Sequence, residues 1–183
     1  MGWIDEYLQH VDGLTGREAR FYKASPPDDE WPISVIMYPV DSDDDSYVSF
    51  TAGLSYGTHE AWKFGRPELC ISMKSQDQRW GWAIGDIAQR LKGDCPFCYG
   101  DIVRFGTQIS EESEMSAFIV FAPSFIAKTA TQIPLSEWTI NLAQMYPIYA
   151  GEIEFIDSNG LESFLSRPGS FFENPKRPDL SKS

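Results

Sequence analysis

The chain has 183 residues, 42% hydrophobic and 23% charged, with a formal net charge of −12. Those proportions exclude wholesale disorder and are sufficient for one domain of ordinary size with a core of its own. The negative charge argues against nucleic acid and anionic membranes as partners, since both are polyanions, and favours a basic protein instead.

No stretch approaches the ~18 uninterrupted apolar residues of a membrane span. Met1-Gly2-Trp3-Ile4-Asp5-Glu6 lacks the basic and apolar regions of a secretory leader. With three cysteines, an odd number, the expected compartment is the reducing cytoplasm.

Trp3, Tyr7, Leu8 and Val11 share one side of a short amphipathic helix ending near Asp12-Gly13. Arg17 to Lys23 reads as a first strand. In Ser25-Pro26-Pro27-Asp28-Asp29-Glu30 the prolines exclude helix, so this is a loop. Ile33 to Val40 is almost continuously apolar and reads as a buried strand. The turn Asp41-Ser42-Asp43-Asp44-Asp45-Ser46 joins it, as a hairpin, to a segment where Val48, Phe50, Ala52 and Leu54 alternate with small polar residues.

After a linker from Ser55 to Gly65, Leu69, Ile71 and Met73 alternate with Cys70, Ser72 and Lys74, which predicts a half-buried strand. Trp80, Ile84, Ile87, Ala88 and Leu91 then make one apolar stripe on a helix from Arg79 to Lys92, with Asp77 as its N-cap and Gly93 at its left-handed stop. This strand and helix form the minimal unit that can bury a core, and the other elements read as additions to it. Asp94 to Gly100 is a turn, Asp101 to Phe105 a short strand, and Glu111, Glu112 and Glu114 lie in an acidic loop. Strands follow at Ala117 to Phe121 and roughly Trp138 to Met145. From Ala150, Ile153 and Ile156 sit on a helix closed by Asn159-Gly160, and Leu161, Phe164 and Leu165 make a last helical turn. The prolines and basic residues beyond Arg167 show no apolar period. The expectation is one α+β domain over residues 1–166 and a loosely held tail over 167–183.

Catalytic motifs are sparse. Cys95-Pro96-Phe97-Cys98 has redox spacing, but a reactive pair wants its first thiol at a helix N-terminus, and here the pair follows a helix. A zinc site needs about four ligands, and only Cys70, His10 and His59 remain. Asp41-x-Asp43-x-Asp45 copies the opening of a calcium loop, but Ser46 and Ala52 stand where that loop needs Gly and Glu, so a polar hairpin turn is the better reading. Gly53-Leu54-Ser55-Tyr56-Gly57 has the look of a nucleophile elbow, yet neither histidine sits in a recognisable base motif. No phosphate or dinucleotide loop appears, so no cofactor is expected.

A set of segments, singly weak, occurs together and in order across residues 30–166. They are Tyr47-Val48-Ser49-Phe50, Gly53-Leu54-Ser55 with Tyr56-Gly57, Glu68-Leu69, and Trp80 with Ala88 and Leu91. Phe97-Cys98-x-Gly100-Asp101, Pro147-Ile148-Tyr149, Glu152-Ile153, Asn159-Gly160 and Leu161-Glu162-x-Phe164-Leu165 complete the set. Together they resemble the Suppressor of fused family. The resemblance implies a central mixed, largely antiparallel sheet packed against helices, and no enzymatic activity. Animal members of that family hold a transcription-factor peptide between this domain and a second one; the match here is to the first, so that clamp is not expected to transfer. Bacterial single-domain relatives point instead to immunity proteins that neutralise toxins. The resemblance also makes Tyr56 the counterpart of a tyrosine lining the peptide groove.

The resulting expectation is a protein that works by occlusion, covering a basic toxin domain with an acidic, aromatic-bearing surface. The candidate contacts are Asp41, Asp43, Asp44, Asp45, Glu111, Glu112 and Glu114, with Tyr56 and Trp62. The blander alternatives are two solvated loops and a tyrosine packed at a strand end. From other classes come a thiol oxidoreductase using Cys95 and Cys98, and an adaptor that binds an extended peptide along a sheet edge.

Overall fold

Among the residues described by the computed structural model (2–41, 45–168 and 172–182), eight strands form one sheet. Helix α1 (Trp3–Thr15) precedes β1 (Arg20–Lys23), β2 (Ser34–Tyr38), β3 (Tyr47–Ala52) and β4 (Arg66–Met73). Helix α2 (Arg79–Leu91) follows, then β5 (Ile102–Arg104), β6 (Ala117–Phe121), β7 (Gln132–Pro134), β8 (Thr139–Ile148), α3 (Ala150–Asn159) and α4 (Leu161–Leu165). The order across the sheet is β1-β2-β3-β4-β8-β6-β5, with β7 also paired to β8. Only β4 and β8 run parallel, so the sheet is mixed and largely antiparallel, as expected.

The apolar stripe of α2 lies on one face of the sheet, where Trp80, Ile84 and Ile87 cluster with Val35, Leu69, Ile71 and Met145. Two glycines let it approach closely. A Cβ on Gly81 would meet Tyr47 Oη at 2.4 Å, and one on Gly85 would meet Val35 Cγ2 at 2.4 Å. On the opposite face α1 brings Tyr7 and Val11 onto Ile36, Phe50 and Leu142, while α3 and α4 bring Ile153, Ile156 and Phe164 onto Ala117, Ile119 and Ile148. Both faces of the sheet centre are therefore covered.

That double cover corrects the expected half-buried strand. Every residue of β4 from Pro67 to Met73 is buried, because the small Cys70 and Ser72 face α1 rather than water. The cap of α2 is displaced by one position: Gln78 occupies the flanking site, while the Asp77 carboxylate accepts the Arg79 N–H at 3.0 Å. Gly93, at φ +84, takes the left-handed position expected of it.

The stretch beyond Arg167 also differs from expectation. Arg177 and Leu180 are buried, at 3% and 1% exposure. The Arg177 guanidinium makes a two-pronged ion pair with Glu152, Nη1 to Oε1 at 2.5 Å and Nη2 to Oε2 at 2.7 Å, and donates to the Pro147 carbonyl at 3.0 Å. Glu152 also accepts the Leu180 and Tyr149 N–H groups at 2.8 and 2.9 Å. A polar anchor of this kind leaves no periodic signature, so the sequence reads as a loose tail although the chain is docked. Removing one partner of a buried ion pair strands the other charge, at a cost of about 3–5 kcal/mol. Arg177→Ala is expected to lower unfolding stability by that amount in urea titrations at neutral pH.

Candidate functional site

The turn that leaves β3 is held by one buried carboxylate. Glu68 accepts four hydrogen bonds: from Thr51 Oγ1 at 2.7 Å, the Gly53 N–H at 3.0 Å, the Ser55 N–H at 2.9 Å and Ser55 Oγ at 2.7 Å. These fix a single 3₁₀ turn over Leu54–Tyr56. Gly53 is required twice over, by its φ of +122 and because a Cβ there would meet the Pro32 carbonyl oxygen at 2.2 Å. Gly57 lies under the Trp31 ring, which a Cβ would meet at 2.1 Å. With Leu54 and Ser55 turned inward, Tyr56 projects outward and is 59% exposed. The same geometry disposes of the nucleophile reading, since the Ser55 hydroxyl is committed to Glu68.

Around Tyr56 lies an aromatic end of the domain. Phe64 is 85% exposed. A groove of about 230 Å³ runs beside it, lined by Trp62, Phe64, Pro67, Pro96, Phe97 and Tyr99. Trp62 is half-buried and donates its indole N–H to the Pro96 carbonyl at 2.9 Å, so it staples the 59–65 loop to the cysteine turn. Tyr99 stacks on Phe121 with ring centroids 5.6 Å apart. Phe97 is buried with a φ of 51, a left-handed conformation uncommon for a bulky residue.

The acidic residues gather at the other end. Tyr38 at the end of β2 stands opposite Val48, and Tyr47 at the start of β3 opposite Met73 at the end of β4, which puts Asp41 and Asp45 at the end of the sheet where β4 exits. The 110–114 loop is pinned to the same place. Glu112 accepts Ser75 Oγ at 2.6 Å, Arg79 Nη2 lies 3.0 Å from Glu111 Oε1, and Ser110 Oγ donates to Asp77 at 2.5 Å. Asp41, Asp45, Glu111, Glu112 and Glu114 are exposed. Asp43 and Asp44 lie outside the described residues. Eight residues of β4 separate the two ends, about 23 Å at the ~3.3 Å rise of a strand. Tyr56 and Trp62 thus do not join the acids in one patch.

A model of the Suppressor of fused protein family (SUFU) matches residues 29–177. The chain belongs to the Suppressor of fused family. Solved Sufu structures share its fold. A protein described as a SUFU homolog from Neisseria gonorrhoeae FA 1090 is 14% identical with a TM-score of 0.78, covering 97% of this chain and 96% of that one. A chain of the Sufu–Fu complex is 12% identical, TM-score 0.70, covering 98% of this chain and 93% of that one. Drosophila Suppressor of Fused is 15% identical, TM-score 0.66, over 98% of this chain and 51% of that one. No curated protein sequence matches the chain.

Within this Sufu fold the cysteine pair is poorly set for redox chemistry. The Cys95 N–H donates to the Leu91 carbonyl at 2.9 Å, so the pair sits at the carboxyl end of α2, where the helix dipole opposes a thiolate. Burial pushes both thiols above their ordinary value, and the Asp101 carboxylate adds to the effect. Cys70, fully buried, is pushed up by burial alone. No group of three or more His, Cys, Asp or Glu among the described residues could hold a metal ion. No helix among them is long and apolar enough to cross a membrane. The residue that sequence reading passed over as a site-builder is Glu68; its signal was a lone acid entering an otherwise apolar strand.

Burial raises the Glu68 carboxyl above its ordinary value, against the pull of its four donors. A group raised on folding stabilises fully below its unfolded value and loses that contribution as pH rises through the folded one. Relative to Glu68→Gln, the wild-type protein is therefore expected to lose stability as pH rises from about 4, in urea titrations across pH. Glu68→Ala, which orphans buried donors, is expected to cost about 2–4 kcal/mol at neutral pH. Iodoacetamide is expected to modify exposed Cys98 no faster than a free thiol at neutral pH and to leave native Cys70 untouched, as read by mass spectrometry.

Proposed function

We propose that this domain is a non-catalytic binding protein that docks its acidic end on a basic protein, a toxin whose active surface it covers. The observation that carries this reading is that Asp41 and Asp45 share one end of the sheet with Glu111 and Glu112, distant in sequence, in a chain of net charge −12. A toxin that acts on nucleic acid is basic because its substrate is polyanionic, and an acidic face mimics that substrate's charge. Membership of the Suppressor of fused family supports a protein partner, since a structural relative is found in the Sufu–Fu complex. The cytoplasm is the compartment this role supposes.

A second reading is favoured by the groove beside Phe64, at the same end of the sheet as Tyr56. There an extended peptide would lie against the exposed aromatic rings, and the domain would act as an adaptor.

Co-expression with the product of an adjacent toxic gene tests the first reading. Rescue and a co-purifying complex are expected; no rescue and no complex would remove it. Combined Asp41→Asn, Asp45→Asn, Glu111→Gln and Glu112→Gln is expected to slow association about 10–100-fold at low salt, by stopped-flow fluorescence. Glu111 and Glu112 hold surface contacts with Arg79 and Ser75, so these substitutions are expected to shift stability by no more than about 1 kcal/mol each. If Tyr56→Ala with Phe64→Ala abolishes binding while the acidic variant binds normally, the groove is the site and the acidic end is not.

A further inference from the structure

The lateral edges of the sheet are finished differently. Strand β5 is three residues long, and its Ile102 packs into the α3–α4 cluster. Strand β7 ends at Pro134, which has no N–H to offer an added strand. Strand β1 is open: Arg20, Phe21 and Lys23 are exposed and Tyr22 is half-buried.

The register settles which backbone groups of β1 are free. Arg20, Phe21, Tyr22 and Lys23 stand opposite Met37, Ile36, Val35 and Ser34, and the Ala24 N–H donates to the Ile33 carbonyl at 3.0 Å. Bonded pairs alternate along an antiparallel ladder. Arg20 and Tyr22 therefore bond to β2, while the N–H and C=O groups of Phe21 and Lys23 point away from the sheet. Both flanks of this edge are aromatic. Phe21 is 63% exposed, and Trp82 of α2, 38% exposed, leans on Tyr22 with ring centroids 5.7 Å apart.

Charge selects the occupant. Arg20 and Lys23 are exposed and form no ion pair with the described residues. Asp86 acts on Tyr22 from α2, and Arg90 offsets its charge. A cationic strand is the exception on a chain of net charge −12. β1 carries no acid, so a second copy paired along this edge would leave Arg20 and Lys23 without an opposite charge and is a poor fit.

We propose that β1 is a docking edge for an extended segment of another protein in which two acidic side chains, three residues apart, flank two apolar ones, because Arg20 and Lys23 lie on opposite faces of the strand, as do Phe21 and Tyr22. Its backbone would take up the outward groups of Phe21 and Lys23, its acids would meet Arg20 and Lys23, and its apolar side chains would lie against Phe21 and Trp82. This surface is separate from both ends of the sheet considered above, so its fate is independent of the toxin reading.

The probe is a short synthetic peptide with a glutamate at every third position and valine between, fluorescein-labelled and titrated against the intact chain at low salt. A matched lysine–valine peptide is the control. Binding in the micromolar range is expected for the acidic peptide only, weakened about tenfold by Arg20→Glu with Lys23→Glu. Amide hydrogen exchange on the wild-type protein should show new protection at Phe21 and Lys23, with Tyr22 already protected in the free protein. Failure of the acidic peptide to bind, equal binding of the basic one, binding unchanged by the charge reversal, or protection confined to other amides would each overturn the proposal.

Discussion

Glu68 is the constraint from which the aromatic end of the domain follows. A carboxylate with no exposure is costly to bury, by several kcal/mol even after relaxation. It is tolerated because four donors from one short segment, Thr51 to Ser55, converge on it. Hydrogen bonds to a charged group contribute about 1.5–3 kcal/mol each, so four of them recover much of the desolvation cost, although burial still leaves the carboxyl raised. The geometry then leaves no freedom downstream. Ser55 must face the carboxylate, Gly53 must turn with positive φ, and Tyr56 is driven out to solvent. The exposed aromatic is thus a result of burying an acid.

The topology separates two surfaces of different character. Because β3 and β4 are antiparallel neighbours, Asp41 and Asp45 share an end with the exit from β4, and the α2 N-terminus ties the 110–114 loop to that end. The return of α2 brings the cysteine turn to the opposite end, where Trp62 bonds to Pro96. Acidic and aromatic residues that a linear reading groups into one face therefore belong to opposite poles. Each pole is internally braced by side-chain hydrogen bonds, which lowers the ordering cost of presenting it to a partner.

Much of the architecture was legible because it rests on periodicity. The α2 stripe of Trp80, Ile84 and Ile87, the β2–β3 hairpin and the β6 run of Ala117 to Phe121 all announce themselves by spacing. Less was legible where a small residue carries the meaning. Cys70 and Ser72 look like the wet side of a strand, yet they are small to admit α1. The three residues of β7 carry no pattern long enough to detect. Arg177 reads as solvated tail because an ion pair with Glu152 is a contact of single residues, invisible to any repeat. The candidate site was half legible for the same reason. Acidity and aromatic content are compositional, whereas their division between two poles depends on strand direction.

The parallel seam between β4 and β8 has a consequence for how the molecule is made. Arg66 lies beside Ile140, so the middle of the sheet joins segments from opposite halves of the chain. The β1–β4 meander can assemble from neighbours as it leaves the ribosome, but its β4 margin has no mate until β8 has been synthesised. During that interval a strand that is buried from Pro67 to Met73 in the finished fold has an open margin. Biogenesis therefore carries an aggregation hazard at a seam that the finished protein buries.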